Sequence, residues 1–165
     1  MHEIKHITPA FAVTAALAKE DFAAIAALGF AHVVSNRPDD EEEGQLSSRA
    51  EAVHAWRQGL LFAHVPATKA DLLTDPVVER MADVLRHAKG PVLAHCKSGL
   101  RSAIVWAAAS ARSQPVDCVL AALAAAGFDL EFLRDDLEGQ ADRKHWIGGV
   151  TATLDCDASR RLATV

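Results

Sequence analysis

Residues 91 to 96, PVLAHC, make a nearly unbroken apolar run that fits a strand buried on both faces, and such a strand needs helices packed on either side of it. The rest of the chain supplies them, because short apolar runs alternate with helical patterns along most of its length. AFAVTAAL opens as a strand. KEDFAAIAALG then carries Phe22, Ile25, Ala26 and Leu28 at helical spacing before Gly29 ends the pattern. FAHVVS is a compact β-type run, and SSRAEAVHAWRQG begins with a capping-box pattern, Ser48 to Glu51, and stops at Gly59. After the strand LLFAHVPA comes TDPVVERMADVLRHAKG, where Asp75 can cap a helix that has Pro76 at its first position. Beyond PVLAHC the chain reads as helical through RSAIVWAAASARS, PVDCVLAALAAAG and LEFLRDDLEGQADRKHW. Strands alternating with helices predict an α/β domain with a largely parallel central sheet. That domain is expected over residues 1–147, with 148–165, which shows no clear period, as a C-terminal tail.

With 165 residues, half of them apolar, the chain can bury one sizeable core. Its net charge of −5 argues against nucleic acid or an anionic membrane surface as partner, since both call for a basic face, so any basic site must be local. No apolar run is long enough to cross a bilayer and no leader pattern is visible, which makes a cytoplasmic location the expectation. Cys96, Cys118 and Cys156 are odd in number and widely spaced, and indicate neither a disulfide framework nor a zinc site. The histidines outside position 95 are scattered without ligand spacing, so neither a metal nor a cofactor is expected. Trp56, Trp106 and Trp146 read as packing residues, and DDEEEG at 39–44 as an acidic surface loop.

Ligands of such sheets bind where strand ends lead into helix N-termini, and Cys96 occupies a junction of that kind. Backbone N–H groups from Lys97, Ser98, Gly99, Leu100 and on to Ser102 can turn inward as a nest, and the helix that follows adds the positive end of its dipole. This field favours a bound anion and the thiolate form of a cysteine. Gly99 supplies a torsion that other residues resist, Arg101 offers a planar fork able to hold two oxygens, and Ser102 can cap the helix or donate to the sulfur. His95 adjoins the cysteine and could act as a base. Asn36, Arg37 and Asp39 follow a strand end on the ligand side, where they either line the site or build a turn. Cys118 lies in an apolar helical pattern, and a resolving-thiol role for it or for Cys156 is a weak reading.

HCKSGLRS resembles the anion-binding loop shared by the cysteine phosphatases and the rhodaneses. The wider chain, from GFAHVVSNRPDDEEEGQ through HVPAT and PVLAHCKSGLRSAIVWA to AAGFDL, resembles the DUF442 family, the phosphatase-like domain also found in beta-lactamase-hydrolase-like proteins. The resemblance implies a dual-specificity protein tyrosine phosphatase-like fold in which His95 supports the loop by hydrogen bonding rather than acting as a base, and it admits both phosphatase and sulfurtransferase activity.

Loop length bears on that choice. Phosphatases of this superfamily place five residues between Cys and Arg and rhodaneses four, and here Lys97 to Leu100 make four. One residue fewer, about 3.5 Å of extended chain, would shrink a ring of inward-facing amides by roughly 0.5 Å in radius, about the tolerance of a reactive site. On this count a phosphoryl group fits poorly and the outer sulfur of a persulfide fits well. The acid that family resemblance puts near Thr68 or Lys69 is also missing, with Asp71 and Asp75 further on. The expectation is therefore a rhodanese-like sulfurtransferase. Cys96 would take sulfane sulfur from a small anionic donor, thiosulfate or a persulfide, and pass it to a thiol or cyanide acceptor, in functional pairing with a persulfide dioxygenase or another sulfide-oxidising enzyme. The alternatives are a phosphatase working through a phosphocysteine, with Asp71 or Asp75 as acid, and a non-catalytic anion-sensing module.

Overall fold

The computed structural model describes residues 2–143. Five strands form one sheet in the order β1-β2-β5-β3-β4: β1 (Lys5–Thr8), β2 (Phe11–Thr14), β3 (His32–Ser35), β4 (Leu61–His64) and β5 (Val92–His95). The pairs β2/β5, β5/β3 and β3/β4 are parallel, as the alternation of strands and helices predicts. The antiparallel β1 is an addition. It pairs with β2 across Pro9 and Ala10, and KHIT is too short and too polar to stand out as a strand in sequence.

Alternation along the strands divides the core between the two faces of the sheet. Ala12, Val33 and Leu93 point to one face, where they meet Phe22 and Ile25 of α1 (Asp21–Ala27) and Ala55 of α2 (Ser48–Arg57). Phe11, Val13, Val34, Val92 and Ala94 point to the other. There they pack with α3 (Asp75–His87), α4 (Leu100–Ala111), α5 (Val116–Ala125) and, through Leu137, α6 (Arg134–Ala141), which a single 3-10 turn precedes. Because β5 is covered on both sides, all four of its residues are buried, as PVLAHC requires. Helix α4 lies against it with Ser102 to Ala111 all buried, so its Ala-rich sequence serves close packing between sheet and outer helices.

Several local expectations shift. Ser47, not Ser48, caps α2 by accepting from the Ala50 amide, which frees the Glu51 side chain to turn inward. Thr74 precedes α3, and Asp75 and Pro76 form its first turn. Leu28 is the exposed end of α1 rather than part of its buried stripe. Trp106 stacks on Phe11, but Trp56 is 78% exposed on the outer side of α2 and packs against no core. Cys118 is buried on α5 and is not a free thiol, against the expectation of reduced, unpaired cysteines. Trp146, Cys156 and the tail at 148–165 lie outside the described residues.

Candidate active site

The site grows out of the carboxyl end of the central strand. Cys96 directly follows β5 and is 1% exposed. Three residues later Gly99 takes a left-handed conformation, φ +89°, which swings its N–H back to donate to Cys96 Sγ at 3.1 Å. A Cβ at this position would stand 3.3 Å from the Thr14 carbonyl oxygen, so a side chain is opposed by torsion and by the neighbouring strand together. Helix α4 begins at Leu100, which brings the positive end of its dipole to the same loop. Lys97, Ser98 and Leu100 are exposed on the loop's outer side.

Arg101 belongs to the first turn of α4. Its Nη1 donates to the Ala67 carbonyl at 2.8 Å, and its Nη2 pairs with Glu41 at 2.6 Å. The contact to Ala67 ties the loop after β4 to the loop after β5. It also shows why counting residues from Cys96 to Arg101 does not measure a ring. The chain turns at Gly99 and is already helical at Leu100, so the loop's size is set by that turn and the helix start, not by an even circle of amides.

Behind Cys96, His95 is completely buried. Two residues on from Leu93, it shares that residue's face of the sheet and points toward α2, where Glu51, itself buried, places Oε1 3.4 Å from His95 Nε2. This is an ion-pair distance without aligned hydrogen-bond geometry, so the expected hydrogen-bonding support from the imidazole is replaced by proximity to a buried carboxylate. Asn36 follows β3 as Cys96 follows β5. Its amide donates to the His95 carbonyl at 2.8 Å and its Nδ2 to the Val65 carbonyl at 2.8 Å, so it knits three strand ends together. Asp39 accepts from the amide and hydroxyl of Ser48, which holds its carboxyl below the usual range and anchors the acidic loop to the start of α2. Asn36 and Asp39 thus build the frame, while the Arg37 side chain meets Glu41, the carboxylate that also holds Arg101.

Among the described residues, the buried side-chain polar atoms without a hydrogen-bond partner are Asn36 Oδ1, both ring nitrogens of His95 and Ser102 Oγ. Each such atom costs about 1–3 kcal/mol when left unmatched. All belong to residues that flank the Cys96 loop, a concentration that marks a functional site rather than loose packing.

Three cations surround the loop, and two carboxylates of the 39–44 segment bridge them. Glu41 reaches both Arg101 and Arg37, the latter at 3.1 Å, and Glu42 reaches Arg37 at 2.9 Å as well as Lys97. The bond to Lys97 and the nearby Arg37 hold the Glu42 carboxyl below its ordinary range. The run lies at the surface, as its composition predicts, and its position directly after a strand end lets Glu41 and Glu42 turn onto the cations beside Cys96. Glu51 was legible too, because a helix that buries Ala55 must also bury the residue four before it.

The two acidic candidates separate clearly. Hydrogen bonds from Arg143 and Arg112 hold the Asp75 carboxyl below its ordinary range, and a group so paired is a poor proton donor. Asp71 accepts from the Thr68 amide at 2.6 Å in the loop that carries Ala67. Two open surface clefts, one lined by Leu72, Asp75 and Arg143 and one by His64, Arg80 and Arg112, include neither Cys96 nor Arg101. No cluster positioned to hold a metal occurs among the described residues, and none of their helices is long and apolar enough to cross a membrane.

A family model described as beta-lactamase hydrolase-like protein, phosphatase-like domain, matches residues 3–113. The chain belongs to this family. It is 31% identical over 132 residues, 79% of its length, to a beta-lactamase hydrolase-like protein of Xylella fastidiosa. It spans only 20 to 30% of the length of the curated relatives it matches. A crystal structure from Neisseria meningitidis, of a protein that carries a provisional phosphatase name, superposes with a TM-score of 0.70 at 32% identity, over 83% of this chain and 97% of that one. A mutant form of Tk-PTP gives a TM-score of 0.63 at 23% identity, over 86% and 95%, a likeness of fold. The fold is thus the dual-specificity protein tyrosine phosphatase-like one, as the resemblance implies.

The sulfurtransferase expectation, with its rhodanese-like persulfide chemistry, is corrected by these findings, since the family and the 32%-identical structure are phosphatase-like. The inference rested on loop length and on the acid missing near Thr68 and Lys69, and a residue count does not record the turn at Gly99 or the start of α4 at Leu100.

Proposed function

We propose that this chain is a cysteine-dependent phosphatase that works through a phosphocysteine. The observation that carries the reading is the placement of Cys96 at the end of the central strand, its sulfur held by the Gly99 amide at the N-terminus of α4, with Arg101 in the first turn of that helix. The Gly99 amide and the helix dipole draw in an anionic phosphoryl group. Arg101 supplies a fork for two of its oxygens once Glu41 releases it.

In the first step Cys96 Sγ forms an S–P bond as the ester P–O bond breaks, and the leaving oxygen takes the electron pair and a proton. Asp71, the carboxyl between Val65 and Thr74, is the candidate donor, on the loop that Arg101 ties to the site. In the second step water attacks phosphorus, inorganic phosphate leaves, and the thiolate is restored. The backbone donors and Arg101 stabilise the charge on the equatorial oxygens in both. Partners on this reading are phosphate esters.

Rapid acid quenching after mixing with para-nitrophenyl phosphate tests it by intact mass. Wild type should gain one phosphoryl group on Cys96 and release phosphate, and Cys96→Ser should do neither. Absence of adduct and of phosphate release, with Cys96 still open to alkylation, would overturn the reading.

A further inference from the structure

Arg37 is 8% exposed, and its side-chain bonds run to the carboxylates of Glu41 and Glu42, on a loop that is otherwise largely in solvent. A buried guanidinium is costly unless it is paired, so a position like this one calls for an anion. The anions present have a definite arrangement. Glu41 spans Arg101 and Arg37, and Glu42 spans Arg37 and Lys97, so two negative groups sit side by side across three cations with Arg37 in the middle. The inner of the two holds Arg101, the side chain that the phosphoryl group needs. The outer one is placed on cations that a single phosphoryl group over Cys96 does not require.

We propose that Arg37 and Lys97 form a second anion subsite beside the Cys96 loop, that Glu41 and Glu42 fill both subsites in the resting protein, and that the substrate is a phosphoryl compound with a second acidic group that displaces them. The proposal rests on the phosphatase reading for the inner subsite and goes beyond it in the class of substrate. Two observations support displacement rather than a permanent latch. Glu42 is 42% exposed and Glu41 26%, so neither is locked by packing. The loop backbone is held instead by Asp39 on Ser48, by Gln45 Nε2 on the Pro38 carbonyl and by the Glu42 amide on Gln45 Oε1, so the two carboxylates leave the cations by side-chain rotation.

Calorimetry at constant ionic strength, with orthophosphate and inorganic pyrophosphate as probes of one and two acidic groups, tests this on the full chain. Wild type should bind pyrophosphate at least about tenfold tighter than orthophosphate. Arg37→Gln should bring that ratio close to one. The double variant Glu41→Gln, Glu42→Gln should bind pyrophosphate about tenfold tighter than wild type, because the internal competitor is gone. Arg86→Gln, a cation at the far end of α3, should leave the ratio unchanged.

An unchanged ratio in Arg37→Gln, or a double variant that binds pyrophosphate no better than wild type, overturns the proposal. Should Arg37→Gln fail to fold, the exposed glutamates alone decide it. Phosphate release from para-nitrophenyl phosphate is measured in parallel. Turnover with a flat affinity ratio overturns the second subsite alone, an intact ratio without turnover overturns the catalytic reading alone, and no binding of either ion overturns both.

Discussion

Replacing Gly99 by alanine tests the geometry on which the site depends. The glycine has φ +89°, where a side chain costs about 1–2 kcal/mol of backbone strain. The added Cβ would stand 3.3 Å from the oxygen and 3.4 Å from the carbon of the Thr14 carbonyl. Thr14 is paired in register with His95, so it can yield only by disturbing the centre of the sheet, and overpacking of that kind adds about 1–3 kcal/mol. The combined loss is about 2–5 kcal/mol, which lowers Tm by about 5–15 °C in a domain of this size. Gly29 is the internal control. It has a similar φ of +86° with nothing within 4 Å of an added Cβ, so Gly29→Ala carries the torsional cost alone. Thermal melts of both variants followed by circular dichroism give the comparison, and the alkylation rate of Cys96 by iodoacetamide reports whether the Gly99 amide still meets the sulfur. A Gly99→Ala variant no less stable than Gly29→Ala, with Cys96 reacting as in wild type, would refute the close approach to Thr14 and with it this account of the loop.

Arg101→Lys keeps a charge but cannot serve the Ala67 carbonyl and an anion with one planar group, so phosphate release should fall by at least about tenfold while the melting curve stays close to wild type. Asp75→Asn, which removes an ionised partner of Arg112 and Arg143, should lower Tm and leave kcat/KM for an aryl phosphate unchanged. Asp71→Asn should lower turnover more for alkyl than for activated aryl phosphates, a difference read from parallel steady-state assays. Stability should be greatest near neutral pH and fall in acid. Burial depresses the His32 pKa, so the folded state binds its proton less readily than the unfolded one and loses stability as pH drops below about 6.5. Asp39, Glu42 and Asp75 have depressed folded pKa values, so their contribution is complete above about pH 4.5 and is lost on further acidification. A Tm that rises between pH 7 and 4 would contradict those assignments.

The strand PVLAHC, the helices on either side of it and the turn HCKSGLRS were all legible in the sequence, because burial period, helix stops and a glycine between strand and helix are local signals. They were enough to place Cys96, Gly99 and Arg101 together where the central strand ends and a helix begins, and the structure has them there. The antiparallel β1 was not legible, since its pairing with β2 gives KHIT an edge position that polar residues tolerate. Which chemistry the loop serves was also beyond a residue count, because the chain's path through Gly99 into α4 decides the cradle's shape and a count does not record it. Only tertiary structure brought Glu51 of α2 against His95 of β5, distant in sequence but joined by the face that the strand's alternation selects. Only tertiary structure carried the acidic run at 39–44 onto Arg37, Lys97 and Arg101. Charges patterned along a chain state what each residue can attract, and the packing of strand ends determines which of them come within reach.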